Sequence, residues 1–149
     1  MWLQSVSIRN TELRLTEKPS SARGRDAPHT ILVVDDNPDI RHLFSTYLRL
    51  AGYSVEAVGD GVAALRRIEE ANPDLLVLDL GLPLLRGEDV ATELAARAHT
   101  REIPVVIVTG EPLAVAPASA ACVLLKPVNP TDLLITVKRC LEMPARAAT

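Results

Sequence analysis

Short runs of apolar residues alternate with longer segments of helical periodicity from Thr30 onward. The runs have the length of buried strands, and they predict five strands at residues 31–34, 53–58, 75–78, 103–108 and 122–125. In the longer segments apolar residues recur every three or four positions. These segments predict four helices, at residues 38–51, 61–71, 87–98 and 129–141.

The alternation of strands and helices predicts the fold class. A helix that joins two neighbouring strands forms a right-handed crossover, so the strands run parallel. The apolar runs are rich in Val, Leu and Ile, which is typical of strands covered on both faces. We therefore predict an α/β fold with an open, doubly wound, five-stranded parallel sheet.

The first 28 residues do not share this pattern. They mix basic and acidic side chains, and a proline, two serines and a glycine make their second half resemble a linker. A weak alternation at residues 5–15 leaves a short strand open, but we favour disorder. We expect an N-terminal extension at residues 1–28, one domain at residues 29–143 and a tail at residues 144–149.

The segment between the last two predicted strands is short and lacks charge. Sixteen residues separate Thr109 from Lys126, and residues 112–120 contain no charged side chain. Pro117 would interrupt a helix there at a cost of about 3 kcal/mol, so we expect a shortened fourth helix region of at most a turn or two. Such a flank could offer apolar surface to a protein partner or to a second copy in a homodimer. Alternatively, it folds back over the core.

Composition and charge exclude several functional classes. The formal net charge is −3, whereas a nucleic-acid-binding domain usually has a basic face. The longest uncharged run, residues 112–125, is too short to span a bilayer. We therefore expect a cytoplasmic protein with no nucleic-acid or membrane partner. Cys122 and Cys140 have no metal-binding or redox spacing, so we interpret them as small buried hydrophobic residues.

Polar residues follow four of the predicted strands. Asp35 and Asp36 follow the first strand, and Asp79, Thr109 and Lys126 follow the third, fourth and fifth. The carboxyl ends of parallel strands lie at one edge of the sheet, where ligands bind in open α/β folds. Taken singly, each residue could be an ordinary turn or surface residue. Their coincidence at four strand ends favours a functional site.

This set of side chains suits phosphoryl transfer. Three adjacent carboxylates repel one another, and Mg²⁺, which binds carboxylate and phosphate oxygens, would relieve that repulsion. Asp79 could then act as a nucleophile, because carboxylates form aspartyl-phosphate intermediates. Lys126 would supply positive charge and Thr109 a hydroxyl group to the transferring phosphoryl group. The sequence therefore predicts a magnesium-dependent site that accepts a phosphoryl group.

Four segments carry this pattern in a fixed order. They are Val33-Val34-Asp35-Asp36-Asn37, Leu78-Asp79-Leu80-Gly81-Leu82-Pro83 with Gly87, Val108-Thr109-Gly110, and Leu125-Lys126-Pro127. Their identity, order and intervals resemble the receiver domain family of response regulators in two-component signalling. The resemblance covers about residues 30–142. It implies a flavodoxin-like fold with the strand order 2-1-3-4-5 and five helices.

The resemblance also implies a metal site. Asp36, Asp79 and the carbonyl group of Gly81 would bind Mg²⁺ directly, and Asp35 would act partly through water.

For the phosphoryl group, the resemblance makes Asp79 the acceptor and places Thr109 and Lys126 against the phosphoryl oxygens. The Lys126–Pro127 peptide bond would be cis. The donor would be a phosphohistidine on a histidine kinase or a histidine phosphotransfer protein.

Two features depart from the family pattern. An aromatic residue usually stands three positions before the lysine and reorients on phosphorylation, but here that position is Val123. The segment between the last two strands is also short. Both features lie on the surface that relatives use to signal onward, so the phosphoryl chemistry is better supported than the usual output switch.

Three functions follow as alternatives. The favoured one is a stand-alone receiver that catalyses only its own phosphorylation and dephosphorylation, since about eight residues follow Leu141. It would act on an unknown downstream protein or pass the phosphoryl group on. The second is an interaction module of the same fold that never takes phosphate. The third, a phosphoaspartate-forming hydrolase, would need a second aspartate where Gly81 stands.

Overall fold

Five parallel strands form one sheet in the order β2-β1-β3-β4-β5. The computed structural model describes residues 27–113, 116–117 and 120–143. The strands are β1 (Thr30–Val34), β2 (Ser54–Val58), β3 (Leu75–Asp79), β4 (Val105–Thr109) and β5 (Ala120–Leu125). The predicted fold class and strand order are confirmed.

Four helices join or follow these strands in the described part of the chain. They are α1 (Pro38–Leu50), α2 (Gly61–Ala71), α3 (Gly87–Ala96) and α4 (Pro130–Glu142). Side chains cap three of them: the side-chain oxygens of Asn37, Asp60 and Asn129 accept hydrogen bonds from main-chain N–H groups in the first turns of α1, α2 and α4. These caps satisfy N–H groups that have no partner within the helix.

Alternate residues of the strands face two separate hydrophobic clusters. Leu32, Leu76 and Ile107 pack on the face covered by α2 and α3. Ile31, Val77 and Val106 point the other way, toward α1 and α4. Each fully buried aliphatic side chain stabilises the fold by about 1.5–3 kcal/mol. The unbroken apolar runs are explained by this burial on both faces.

Several predicted boundaries are wrong by two residues. The fourth strand begins at Val105 instead of residue 103, the fifth at Ala120 instead of residue 122, and α3 ends at Ala96 instead of residue 98. The chain turns out of α3 at Arg97, which has an extended backbone conformation. The hydroxyl of Thr100, a buried residue, then donates to the carbonyl oxygen of Leu94.

The described residues between β4 and β5 include no helix, in agreement with the predicted shortening. The resemblance implied five helices, and the described part of the chain has four, because prolines at positions 112 and 117 disfavour a helix there. Residues 114–115 and 118–119 of this segment lie outside the described part, as do residues 1–26 of the expected extension and the tail at residues 144–149. Among the described helices, none is long and apolar enough to cross a membrane.

Candidate functional site

The predicted site residues meet at the carboxyl edge of the sheet. Asp79 is the last residue of β3 and Thr109 the last residue of β4. Asp35 and Asp36 form the turn after β1, and Lys126 directly follows β5. All of them except Asp35 line one open crevice, together with Gly81. The structure therefore confirms that these residues lie close together at this edge; their chemical roles stay predictions.

Three carboxylates cluster at the crevice. One oxygen atom from each of Asp35, Asp36 and Asp79 lies within 4.8 Å of the other two. Asp35 and Asp79 are buried, whereas Asp36 is exposed to solvent. Two buried carboxylates and one open to solvent suit Mg²⁺, which prefers oxygen ligands and keeps several of its waters. Their role as ligands, and that of the Gly81 carbonyl group, stay predictions.

Lys126 bridges the two buried carboxylates. Its Nζ atom lies 3.2 Å from Oδ2 of Asp35 and 3.3 Å from Oδ2 of Asp79. Burial alone would lower the pKa of Lys126, but the two carboxylates together outweigh burial and raise it. Lys126 therefore carries its positive charge at neutral pH, beside the proposed acceptor. The Lys126–Pro127 peptide bond is cis, as predicted.

The surroundings of Asp35 disfavour its charged form. Burial raises its pKa, and the nearby charge of Asp79 raises it further. A hydrogen bond from the Asn37 N–H group to Oδ1 (2.9 Å) and the charge of Lys126 only partly oppose this shift. Its Oδ2 atom is buried and has no well-directed hydrogen bond. The ionised site thus holds negative charge that a cation would stabilise.

Asp79 is oriented by contacts to both carboxylate oxygens. Oδ1 accepts a hydrogen bond from the Gly81 N–H group at 3.1 Å, while Oδ2 faces Lys126. Behind this residue the main chain of Gly87 packs directly against the main chain of Asp79 and Leu80. The carboxylate is therefore held at the floor of the crevice.

Thr109 lies at the crevice, but its hydroxyl group has local partners. It donates to the carbonyl oxygen of Glu111 at 3.1 Å and lies 3.3 Å from the Glu111 N–H nitrogen. To contact a phosphoryl oxygen, the hydroxyl must give up the hydrogen bond to that carbonyl group. The predicted contact thus requires a change from the arrangement seen here.

Three residues that line or support the crevice were not identified from the sequence. Arg86 and Glu88, at the start of α3, line the crevice, and their Nε and Oε2 atoms are 3.3 Å apart. Arg41 donates hydrogen bonds to the carbonyl oxygens of Asp35 and Asp36. A signal for Arg41 existed, because a basic residue in the first turn of a helix opposes the helix dipole.

A first prediction concerns the crowded charges. Because folding raises the pKa of Asp35, its ionised form destabilises the fold at pH values above the ordinary carboxyl range, and this penalty disappears as the pH falls and Asp35 becomes protonated. We expect Asp35→Asn to raise the free energy of unfolding in metal-free buffer at pH 7, because the variant removes the buried negative charge. Thermal melts with and without Mg²⁺ measure this, and Mg²⁺ should stabilise the wild type more than the variant.

The matched control for this prediction is Glu102→Gln, which removes one exposed carboxylate just before β4, at the opposite edge of the sheet. Its melting temperature should be nearly the same as that of the wild type, both with and without Mg²⁺. A metal-free Asp35→Asn variant less stable than the wild type would contradict the electrostatic account of the site.

Comparison with known proteins agrees with this geometry. The model of the response regulator receiver domain family matches residues 31–138. The chain is similar to the transcriptional regulatory protein PrrA of Mycobacterium leprae, with 36% identity over 124 residues, which are 80% of this chain and 52% of PrrA. It is also similar to the DNA-binding response regulator MtrA of Mycolicibacterium smegmatis, with 34% identity over 75% of this chain and 50% of MtrA. The chain spans about half the length of these relatives.

Solved structures give the same result. A putative response regulator from Chloroflexus aurantiacus superposes with a TM-score of 0.74 and 31% identity over 78% of this chain and 100% of that one. The receiver domain of a sensor histidine kinase from Pseudomonas aeruginosa superposes with a TM-score of 0.73 and 30% identity over 78% and 100%. That structure has a magnesium ion coordinated in its active-site cleft.

Proposed function

This chain belongs to the response regulator receiver domain family, and from this we propose that it accepts a phosphoryl group from a phosphohistidine onto Asp79. The donor would be a histidine kinase or a histidine phosphotransfer protein. The phosphorylated chain would then bind a downstream protein or pass the phosphoryl group on. The observation that carries the proposal is the position of Lys126, between the carboxylates of Asp35 and Asp79 and beside a third carboxylate.

The proposed reaction exchanges one bond for another. A carboxylate oxygen of Asp79 attacks phosphorus, a P–O bond forms, and the P–N bond to the donor imidazole breaks with its electron pair left on nitrogen. Lys126 already touches Oδ2 of Asp79, so it can follow the negative charge onto a phosphoryl oxygen. Mg²⁺, when bound, neutralises carboxylate and phosphoryl charge.

Asp36 and Asp35 contribute differently to the proposed site. Asp36 is exposed and can bind the cation from the solvent side, as the Gly81 carbonyl group would. Asp35 is buried and touches Lys126, so it would hold the lysine in place and add negative charge to the metal site.

The chain would have no catalytic activity toward other molecules. It would catalyse only its own phosphorylation, and its own dephosphorylation by water. The exposed Gly110 leaves the mouth of the crevice open, since a Cβ atom at this position would meet nothing within 4 Å. A phosphoryl donor or a water molecule can therefore approach Asp79 from this side.

The alternative is an interaction module that never takes phosphate. Burial of an ammonium group between two buried carboxylates costs desolvation free energy. A module that never takes phosphate would not require this arrangement. The ion contacts of Lys126 therefore favour the phosphorylated receiver over the phosphate-independent one.

Acetyl phosphate labelling tests the proposed function. With Mg²⁺ present, the full chain should gain the mass of one phosphoryl group, and addition of a chelator beforehand should prevent the gain, because three carboxylates would repel an anionic donor. Intact-mass spectrometry measures the labelling. A chain that stays unmodified across a wide range of Mg²⁺ and donor concentrations would support the interaction module instead.

A further inference from the structure

The turn that bears two of the three carboxylates is held by a side chain of the following helix. Arg41, the fourth residue of α1, donates from Nη1 to the carbonyl oxygens of Asp35 (2.8 Å) and Asp36 (3.2 Å). One guanidinium nitrogen thus ties together the two residues that supply two of the three clustered carboxylates.

The remaining contacts of this turn restrain Asp35 more than Asp36. The Asp35 N–H group donates to the Val58 carbonyl oxygen at 3.2 Å, and Asp35 Oδ1 accepts from the Asn37 N–H group. In the described part of the chain, Arg41 is the side chain that bonds the carbonyl oxygen of Asp36. The orientation of Asp36, the exposed member of the acidic cluster, therefore depends on Arg41.

The neighbouring loop leaves room for this guanidinium group. Gly59 follows β2, and a Cβ atom at position 59 would lie 2.8 Å from Nη1 of Arg41. The missing side chain allows Arg41 to lie across the loop and reach the turn. Arg41 and Gly59 thus form a two-residue clamp that connects α1, the β1–α1 turn and the β2–α2 loop.

We propose that Arg41, seated against Gly59, is a positioning residue for the magnesium site. It fixes the main chain of Asp35 and Asp36 so that their carboxylates converge on Asp79. The inference rests on the proposed function, because it concerns the same crevice. It assigns a role to a residue that would act only through the main chain of the metal-binding turn.

An electrostatic role and a positioning role of Arg41 predict opposite effects of its removal on Mg²⁺ binding. If the guanidinium group acted only through its charge, its loss would strengthen Mg²⁺ binding, because a positive neighbour repels the cation. If it positions the turn, its loss weakens Mg²⁺ binding. Loss of an outer partner that orients metal ligands typically weakens metal binding by about 10-fold or more.

The test compares Arg41→Met with Arg49→Met in the full chain. Methionine keeps an apolar stem but removes the charge and the hydrogen bonds. Arg49 lies on the same helix and donates to the carbonyl oxygen of Val55 at 2.9 Å, so its variant loses a similar bond away from the site. Titration calorimetry with magnesium chloride alone should show a dissociation constant about tenfold higher for Arg41→Met and unchanged for Arg49→Met.

Gly59→Ala provides a second, independent variant. Its methyl group would push the flexible end of Arg41 off the two carbonyl oxygens without a clash against main chain. It should weaken Mg²⁺ binding in the wild-type background and have no further effect when combined with Arg41→Met. If the effects of the two substitutions on Mg²⁺ binding add in the double variant, the two residues act independently and the proposed clamp is wrong.

Failure of this inference is distinguishable from failure of the proposed function. A wild type that neither binds Mg²⁺ nor takes phosphate from acetyl phosphate would disprove the function. A wild type that does both, beside an Arg41→Met variant that binds Mg²⁺ as tightly as Arg49→Met or more tightly, would overturn only the role of Arg41. In the expected case, saturating Mg²⁺ restores most of the labelling rate of Arg41→Met.

Discussion

Replacement of Asp79 by alanine should abolish phosphoryl labelling, whereas the loss of a neighbouring carboxylate should only slow it. In the proposed reaction Asp79 supplies the atom that bonds to phosphorus, and among the described residues no other carboxylate lies at the end of β3. Its carboxylate is the one oriented by both the Gly81 N–H group and Lys126. The expected result is the absence of any mass gain after long incubation with acetyl phosphate and Mg²⁺.

Asp36→Ala is the matched control for this substitution. It removes the same chemical group from the same crevice, but it removes a proposed metal ligand instead of the acceptor. Labelling should be slow and should recover as Mg²⁺ is raised, because weaker binding is offset by mass action. If Asp79→Ala is labelled as fast as the wild type, the acceptor lies elsewhere.

Gly87→Ala should cause a large loss of stability, because the main chain beside the site leaves no room for a methyl group. A Cβ atom at position 87 would lie 2.5 Å from the Cα atom of Leu80 and would overlap the carbonyl oxygen of Asp79. Both are main-chain atoms at the end of a central strand and cannot move aside as a flexible side chain can. We expect a loss of about 3 kcal/mol, the upper end for overpacking, and a melting temperature lower by about 10 °C.

Gly110→Ala adds the same methyl group in open space. Its Cβ atom would meet nothing within 4 Å, so the melting temperature should stay within a degree or two of the wild type. Parallel denaturation of the two variants separates the effect of packing from the general effect of removing a glycine. Equal stabilities of Gly87→Ala and Gly110→Ala would show that the chain at Leu80 is not held as described.

The sequence predicted the fold because its strands are buried on both faces. Continuous apolar runs such as residues 75–78 mark a parallel sheet, and the polar residues after four of the five runs mark the carboxyl edge. The convergence of Asp79, Thr109 and Lys126 follows from topology alone, since successive crossovers in one sheet bring every strand end to the same side. The local sequence pattern and the topology were therefore sufficient to predict where the site lies.

Features set by tertiary packing were not predictable in the same way. The end of α3 depends on the contact of the Thr100 hydroxyl with Leu94 and not on helix propensity. The hydroxyl of Thr109 bonds to Glu111, a choice of rotamer that no sequence pattern specifies. The unfavourable position of Arg41 near the start of α1 is a signal in the sequence, but no pattern identifies the two carbonyl groups that it bonds.

Two features depart from the family pattern: Val123 and the short segment between β4 and β5. Both concern onward signalling and not the transfer of the phosphoryl group. Val123 is partly buried against the cluster beneath α2 and α3, so it is a packed aliphatic residue without an aromatic ring to reorient. The described residues between β4 and β5 add no helix to that side of the sheet. Under the proposed function, phosphorylation of Asp79 would disturb the Thr109–Glu111 turn, because the Thr109 hydroxyl donates to the Glu111 carbonyl group at the crevice.

Direct identification of the modified residue tests the central proposal most sharply. The full chain is labelled with acetyl phosphate and Mg²⁺, reduced with borohydride to convert an aspartyl phosphate to homoserine, digested and sequenced by tandem mass spectrometry. The proposal predicts homoserine at position 79, with unmodified aspartate at positions 35 and 36, and no homoserine when a chelator is present during labelling. Homoserine at position 35 or 36, or none in a chain that had gained phosphoryl mass, would contradict it.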